Sequence, residues 1–322
     1  MRTVAAPTAE AMASAERVVR QALAPTPVVA APSLGPGVLL KLEHLAPTGS
    51  FKVRGALAAV AAARQADPGA LLVAASAGNH GLGVAWAAER LGARAVVVVP
   101  ETAAEPKVRA LATFDVELVR HGATYDEAEA HALDLAAERG GRFISPYNDP
   151  DVIAGQATVG TELVAQVPDL ATVVVPVGGG GLLAGVGLAM AGRRVRLVGV
   201  EPERSAGLLA RLHDDDGRYQ VDGATLADGL AGRLEEGSVT VPLARALGAE
   251  LVTVDEEQLA GAMREAATGL GLVLEASGAA ALAAWLADPG ALAGDGPTVL
   301  LLTGRNVAAS VLARILDGGV PT

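Results

Sequence analysis

The stretch TVVVPVGGGGLLAGVGLAMA, residues 172–191, combines three local patterns that together decide the fold. Its β-branched run predicts a buried strand, its four glycines predict a turn, and the apolar residues after them predict a helix. Bare backbone N–H groups at a helix start can surround an anion, although a run of glycines alone also fits a flexible turn. The spacing matches neither the dinucleotide fingerprint nor the Walker loop, so it favours a single phosphate.

The same alternation of strand and helix continues along the chain. Short β-branched runs alternate with longer alanine-rich segments of helical period, which predicts parallel sheets covered by helices on both faces. The predicted strands are residues 38–43, 71–76, 95–100, 116–120, 172–177, 196–201, 249–254 and 298–303. We therefore predict an α/β fold with two doubly wound lobes.

The composition limits the possible partners. The 322 residues carry a formal net charge of −11, 51% of them are hydrophobic, and none is cysteine. A negative chain without a Lys/Arg-rich run is repelled by nucleic acid and by anionic lipid, so we expect a small-molecule ligand. The sequence shows neither a secretory signal nor a long apolar span, and the lack of cysteine fits a reducing compartment. We predict a cytoplasmic protein.

Two polar segments have structural interpretations. HDDDGRYQVDG, residues 213–223, predicts a surface loop, and a metal site is the alternative for its three consecutive aspartates. In TVDEEQLAGAMREAA, residues 253–267, Asp255 and Gln258 have the spacing of a helix capping box.

PTGSFKVRGA, residues 47–56, raises the question of what Lys52 does beside Phe51 at a predicted helix start. A shielded ammonium near a phosphate loop has a lowered pKa, which frees an amine to attack a carbonyl. The alternative is a lysine that extends its stem over apolar surface and keeps its charge in water.

AASAGNHGLGVAWAAERLG, residues 74–92, again runs from strand through a small polar loop into a helix. Ser76, Asn79 and the loop amides can hold a carboxylate or a ring hydroxyl, or the two side chains can cap the helix. His80 by itself predicts a packed, hydrogen-bonded histidine rather than a catalyst.

Several separated motifs occur in the order seen in one known family. They are KLEHLAPTGSFKVRGA, SAGNHGLGVA, DPDVIAGQATVGTEL, PVGGGGLLAG, GVEP, DGLA and EASGAAALAA. The chain closely resembles the fold-type II pyridoxal-phosphate enzymes, with the tryptophan synthase β-like fold, of the threonine (serine) dehydratase and serine racemase branch. The resemblance spans residues 25 to 310, and agreement of several motifs is more specific than any one of them.

The resemblance implies a role for each motif residue toward pyridoxal 5'-phosphate. Lys52 takes the place of the Schiff-base lysine and Phe51 packs beside the cofactor. The cup for the cofactor phosphate is formed by Gly178, Gly179, Gly180 and Gly181. Asn79 binds the ring hydroxyl, and Thr303 takes the place of the hydroxyl residue that meets the pyridine nitrogen. The substrate carboxylate is received by Ser76, Ala77, Gly78, Asn79 and His80.

The activity that the resemblance implies is β-elimination on a β-hydroxy amino acid, with Lys52 removing the Cα proton and L-threonine or L-serine giving a 2-oxo acid and ammonia. A neutral hydroxyl at Thr303 fits elimination, because it does not keep the ring nitrogen protonated as a carboxylate would. The alternatives are a serine racemase, a β-replacement enzyme similar to cysteine synthase, and a catalytically silent amino-acid sensor. Serine racemases carry a serine at the position of Ala77, which disfavours the first alternative.

Three departures from the family pattern stand out. Arg305 replaces a glycine near the ring-nitrogen end, and Ala276 replaces the usual proline after Glu275. Gly207 stands six residues after Glu201, where some members have a cation-binding carboxylate, so we expect no metal.

The resemblance also implies the organisation of the chain. We expect a large cofactor-binding lobe of residues 1–70 and 150–322, a small mobile lobe of residues 71–149, no C-terminal regulatory domain, and a homodimer.

Overall fold

The structure is a computed structural model that describes residues 4–213 and 217–320. Its strands are β1 (Val28–Ala30), β2 (Val38–Lys41), β3 (Leu71–Ala75), β4 (Arg94–Val99), β5 (Glu117–Arg120), β6 (Arg142–Phe143), β7 (Thr172–Pro176), β8 (Arg196–Pro202), β9 (Glu250–Val254) and β10 (Thr298–Leu301). The aspartates for which the sequence left a metal site open, Asp214, Asp215 and Asp216, lie outside the described residues.

Helices alternate with these strands. They are α1 (Ala9–Ala22), α2 (Lys52–Ala66), α3 (Asn79–Leu91), α4 (Glu105–Leu111), α5 (Tyr125–Glu138), α6 (Pro150–Gln166), α7 (Gly181–Ala189), α8 (Gly207–Leu212), α9 (Thr240–Ala246), α10 (Glu256–Thr268), α11 (Ala276–Ala287), α12 (Pro289–Leu292) and α13 (Ala309–Leu316). Short 3-10 helices cover Pro32–Leu34, Glu43–Leu45, Glu203–Ser205 and Asp228–Leu230. Within the described residues, no helix is both long enough and apolar enough to span a membrane.

The strands form two sheets. The larger has the order β1-β2-β10-β7-β8-β9, and the smaller has the order β5-β4-β3-β6. All neighbours pair in parallel except β1, which runs antiparallel to β2. All residues of β7 and β10 are buried, as expected for parallel strands covered by helices on both faces. The predicted α/β fold with parallel sheets is therefore confirmed.

The apolar cores assign the helices to the sheets. Helices α6 and α7 share one cluster with β7 of the larger sheet, and α10 and α11 share another with β8 and β10. Helix α2 shares its cluster with β3 of the smaller sheet. The division into lobes at residues 70 and 150 remains a proposal, since the cluster of α2 also contains Val19 of α1 and Val152 of α6.

The carboxyl ends of the parallel strands position the candidate site. The glycine run, residues 178–181, follows β7. The SAGNH loop, residues 76–80, follows β3, and Thr303 follows β10. The backbone N–H of Phe51 donates to the carbonyl of Thr303 at 3.1 Å, which ties the start of α2 to the end of β10. In parallel α/β sheets this edge is where ligands bind.

Three side chains at the ends of other elements have structural roles. Asp255 and Gln258 form the predicted capping box of α10, which is confirmed. The buried carboxylate of Glu201 accepts from the backbone N–H groups of Leu208 and Leu209, both at 2.8 Å. Glu201 therefore binds the first turn of α8, which begins at Gly207.

Candidate active site

Lys52 is the first residue of α2 and is half-buried. Its ammonium donates to the carbonyl oxygen of Pro146 at 3.0 Å and lies 5.3 Å from the centroid of the Phe51 ring. Burial lowers the pKa of Lys52 to about 8, although the negative charge of Glu275 opposes that shift. With this pKa, about one molecule in ten carries a neutral amine at pH 7, far more than at the ordinary value of 10.5, and the neutral amine is the form that a nucleophile requires.

The glycine run leads from β7 into α7, with Gly180 at a φ of +82°. A Cβ added to Gly179 would overlap the ring of Tyr147, and one added to Gly181 would lie 2.9 Å from the Cα of Tyr147. A Cβ on Gly178 would lie 3.0 Å from the Cα of Leu230. No side chain fits at these positions, so the loop exposes bare backbone N–H groups at a helix start, as an anion site requires.

The polar side chains of the SAGNH loop make hydrogen bonds that do not cap helix α3. The hydroxyl of Ser76 accepts from the backbone N–H of Gly78 at 3.1 Å, and no side chain of the described residues caps α3. The amide of Asn79 instead donates to Glu275 Oε1 and accepts from Asn306 Nδ2, each at 2.6 Å. Helix capping, the alternative considered for Asn79, is therefore wrong.

His80 and Ala77 both pack against neighbouring protein groups. His80 is buried, and its Nε2 donates to the carbonyl of Ile144 at 2.9 Å. Burial, together with the charge of Lys52, lowers the pKa of His80 to about 3. The prediction of a packed, hydrogen-bonded histidine is confirmed. Ala77 packs against the apolar cluster formed by β4 and α4.

Thr303 is buried at the end of β10, and its hydroxyl donates to the carbonyl of Ser277 at 3.4 Å. Arg305, whose orientation the sequence left open, is exposed, and its backbone N–H donates to the carbonyl of Gly49 at 3.0 Å. The loop after β10 therefore has a neutral hydroxyl within the protein and a cation on the surface.

Sequence reasoning did not assign a role to Glu275 or Tyr147. Burial raises the pKa of Glu275 to about 7, while the hydrogen bond from Asn79 opposes the shift. Tyr147 covers Gly179, and its hydroxyl accepts from the backbone N–H of Glu235 at 2.8 Å. Glu275 had two signals in the sequence: it is an acid inside an alanine-rich run, and it lies in the motif EASGAAALAA. Tyr147 had only its place in the polar segment SPYNDPD, residues 145–151.

These contacts gather the predicted residues at one end of both sheets. Lys52 contacts Pro146, the neighbour of Tyr147, which packs on the glycine run. A Cβ on Gly83 would lie 3.2 Å from the carbonyl of Lys52, so α3 also approaches α2 closely. A nucleophilic amine and an anion-binding loop together fit an aldehyde cofactor that carries a phosphate.

The comparisons with known proteins agree with this geometry. Residues 19–304 match the family described as pyridoxal-phosphate dependent enzyme, and the chain belongs to this family. The predicted family, its fold and the cofactor pyridoxal 5'-phosphate are confirmed.

Three individual proteins show which members of this family the chain resembles. The chain is 36% identical over 289 residues to an L-threonine ammonia-lyase of Thermotoga maritima, an alignment that covers 89% of this chain and 71% of the relative. The crystal structure of the T.th. threonine deaminase superposes with a TM-score of 0.84 at 37% identity, covering 94% of this chain and 99% of the other. Maize serine racemase superposes with a TM-score of 0.86 at 28% identity, covering 98% of each chain.

Proposed function

We propose that this chain is a pyridoxal-phosphate dependent ammonia-lyase that converts L-threonine to 2-oxobutyrate and ammonia, and L-serine to pyruvate and ammonia. The observation that carries the proposal is the combination of a lysine of lowered pKa with a neutral hydroxyl, that of Thr303, after β10. The similarity to L-threonine ammonia-lyase supports the same activity.

The residues that would hold the cofactor follow from their chemistry. The amine of Lys52 would hold the cofactor through its aldehyde, and the amides of Gly178, Gly179, Gly180 and Gly181 would bind its phosphate. Phe51 would pack beside the ring, Asn79 would bind the ring oxygen and Thr303 would meet the ring nitrogen. When bound, the cofactor supplies an electron sink for negative charge at the substrate Cα.

The protein's own groups then orient the substrate and move protons. The backbone of Ser76, Ala77, Gly78, Asn79 and His80 binds the substrate carboxylate at the start of α3. Lys52 takes the proton from Cα, a task for which a pKa of about 8 is suited. The β-hydroxyl leaves as water, and addition of water to the released product gives the 2-oxo acid and ammonia.

The racemase alternative meets an obstacle in the SAGNH loop. Racemisation requires a second acid on the substrate face opposite Lys52, so that a proton lost on one side is replaced from the other. The position at which serine racemases carry a serine is Ala77, whose methyl packs against β4 and α4 and holds no exchangeable proton. Elimination is therefore the favoured outcome, despite the structural likeness to maize serine racemase.

We also propose the setting in which the enzyme works. The lack of cysteine supports a reducing, cytoplasmic setting. Catabolic use of serine as well as threonine is part of the same proposal. Homodimer formation and closure of a small lobe over the substrate belong to the same proposal.

The test is a substrate panel with the purified, cofactor-loaded protein. L-threonine, L-serine and hydroxyaspartate are assayed for 2-oxo acid release, with chiral chromatography of the remaining amino acid. O-acetylserine with sulfide serves as the test of β-replacement. We expect oxo acid with little D-isomer and no activity in Lys52→Ala. Substantial D-isomer, replacement product alone, or complete inactivity would overturn the proposal.

A second measurement tests the lysine itself. Borohydride reduction of the loaded protein followed by peptide mapping should place the cofactor on Lys52. A label on Lys41 or Lys107 instead would contradict the assigned role.

A further inference from the structure

Asn306, Asn79 and Glu275 form one hydrogen-bonded chain at the edge of the site. The side-chain nitrogen of Asn306 donates to the carbonyl of Thr48 at 2.8 Å and to Asn79 Oδ1 at 2.6 Å. Asn79 Nδ2 donates in turn to Glu275 Oε1 at 2.6 Å. The chain links the segment before α2, the start of α3, the start of α11 and the loop after β10.

The direction of this chain is fixed from its Thr48 end. A backbone carbonyl only accepts, so the amide atom of Asn306 that faces Thr48 is the nitrogen. Its second hydrogen points at Asn79 and requires an acceptor there, which is Oδ1. Asn79 Nδ2 then faces the Glu275 carboxylate, which also accepts. A flipped Asn79 would place two donors together at one end and two acceptors together at the other.

We propose that Glu275 and Asn306 are positioning residues that hold Asn79 with one amide hydrogen free to donate to the ring oxygen of the cofactor, which is thereby bound as an anion. Each end of the Asn79 amide has one partner, and the second hydrogen of Nδ2 is the donor that remains. This inference rests on the proposed function, which places Asn79 at the ring oxygen.

Gly304 leaves the space in which Glu275 and Asn79 make contact. A Cβ added to Gly304 would overlap Glu275 Oε1 and would lie 3.3 Å from Asn79 Nδ2. The backbone N–H of Asn306 also donates to the Glu275 carboxylate, so Asn306 contacts both of the other members of the chain. A buried acid, 8% exposed, is retained here in an otherwise apolar run because its oxygens have these partners.

Glu275→Leu removes the acceptor at nearly constant volume and leaves Asn79 free to turn. We expect cofactor affinity, measured by titrating the cofactor-free protein, to weaken on the order of tenfold. The absorbance bands of the bound cofactor should shift toward the form with a protonated ring oxygen. Glu275→Gln, whose Oε1 still accepts from Asn79, should restore most of both properties.

Asn306→Ala provides a second test at an exposed position, where loss of folding is not a concern. It should shift the same bands in the same direction. Glu257→Gln, an exposed acid in the first turn of α10, is the matched control and should change neither property. A purely structural role of Glu275 would lower the melting temperature and leave the band ratio unchanged.

Unchanged bands and affinity in both Glu275→Leu and Asn306→Ala, with Lys52 labelled normally, would overturn this inference alone. Failure of the unaltered protein to attach the cofactor at Lys52 would overturn the proposed function instead.

Discussion

Lys52 and Glu275 show how burial alone prepares the site before any ligand binds. Removal from water disfavours the charged form of each group, so the pKa of Lys52 falls to about 8 and that of Glu275 rises to about 7. Their mutual attraction opposes the shift of Lys52, but burial is the larger effect. The protein therefore loses stability by keeping a reactive amine in its interior, as is common at active sites.

Replacing Lys52 by Met should stabilise the cofactor-free protein in a pH-dependent way. Because the pKa of Lys52 is lowered from 10.5 to about 8, the unfolded chain holds more protons between these values. The unaltered protein therefore gains stability as pH rises through this window. Below pH 8, Lys52→Met should raise the free energy of unfolding by its full amount, up to about 3 kcal/mol. This gain should vanish as the pH approaches 10.5. Urea unfolding at pH 7 and pH 10 measures it. The exposed Lys107→Met is the control, and an advantage of Lys52→Met independent of pH would contradict the account.

At the scale of elements, a buried ion network anchors α2 behind Lys52. Arg54 pairs with Glu43 at 2.8 Å and with Glu162 at 2.6 Å, while Lys41 pairs with Glu162 at 2.5 Å. These four side chains come from β2, the 3-10 helix after it, α2 and α6. Burial opposes ionisation of Glu162, but Arg54 and Lys41 hold its pKa below the ordinary value. Two positive and two negative charges balance in this network, and the start of α2 is fixed by it.

Arg54→Met should leave Glu43 and Glu162 with Lys41 as the remaining cation of this network. Breaking a buried pair by removing one partner costs about 3–5 kcal/mol, because the remaining charge is uncompensated. The free energy of unfolding from urea titration should fall by that amount. Arg139→Met is the matched control, since Arg139 pairs with Glu117 at 2.7 Å on the surface, and it should cost far less than Arg54→Met. Equal losses in the two variants would show that the network does not stabilise α2.

The features that could be predicted from the sequence are those that depend on residues close together in the chain. All eight predicted strands are present, because each has a β-branched run bounded by turn residues. Strands β1 and β6 were missed because they contain three and two residues, too few for any period. Lys52 and the glycine run were predictable from local patterns. The contact between Asn79 and Glu275 was not, since 196 residues separate the two in sequence.

At the scale of the whole molecule, an exposed ion pair near the site connects the two sheets. Lys107 lies on α4, which packs on the smaller sheet. Asp228 is the first residue of the 3-10 helix Asp228–Leu230, and Leu230 packs on the larger sheet. Their charged groups are 2.6 Å apart, and their side chains are 41% and 63% exposed. Both charges also act on Glu275, so the pair lies near the site. We infer that it helps to hold the two sheets together when substrate is bound.

Exchanging the two charges tests whether the pair between Lys107 and Asp228 supports catalysis. Lys107→Asp and Asp228→Lys should each lower kcat/KM about two- to fivefold, because an exposed pair contributes less than about 1 kcal/mol and a like-charge pair removes it. The double exchange should restore kcat/KM to within about twofold, and all differences should fade at about 0.5 M salt, where screening is strong. Arg120→Met is the control, since Arg120 pairs with Glu105 at 2.6 Å within the smaller sheet and its helices, and it should leave kcat/KM unchanged. If the double exchange is no better than either single change, the pair does not couple the two sheets, and its charges do not support catalysis.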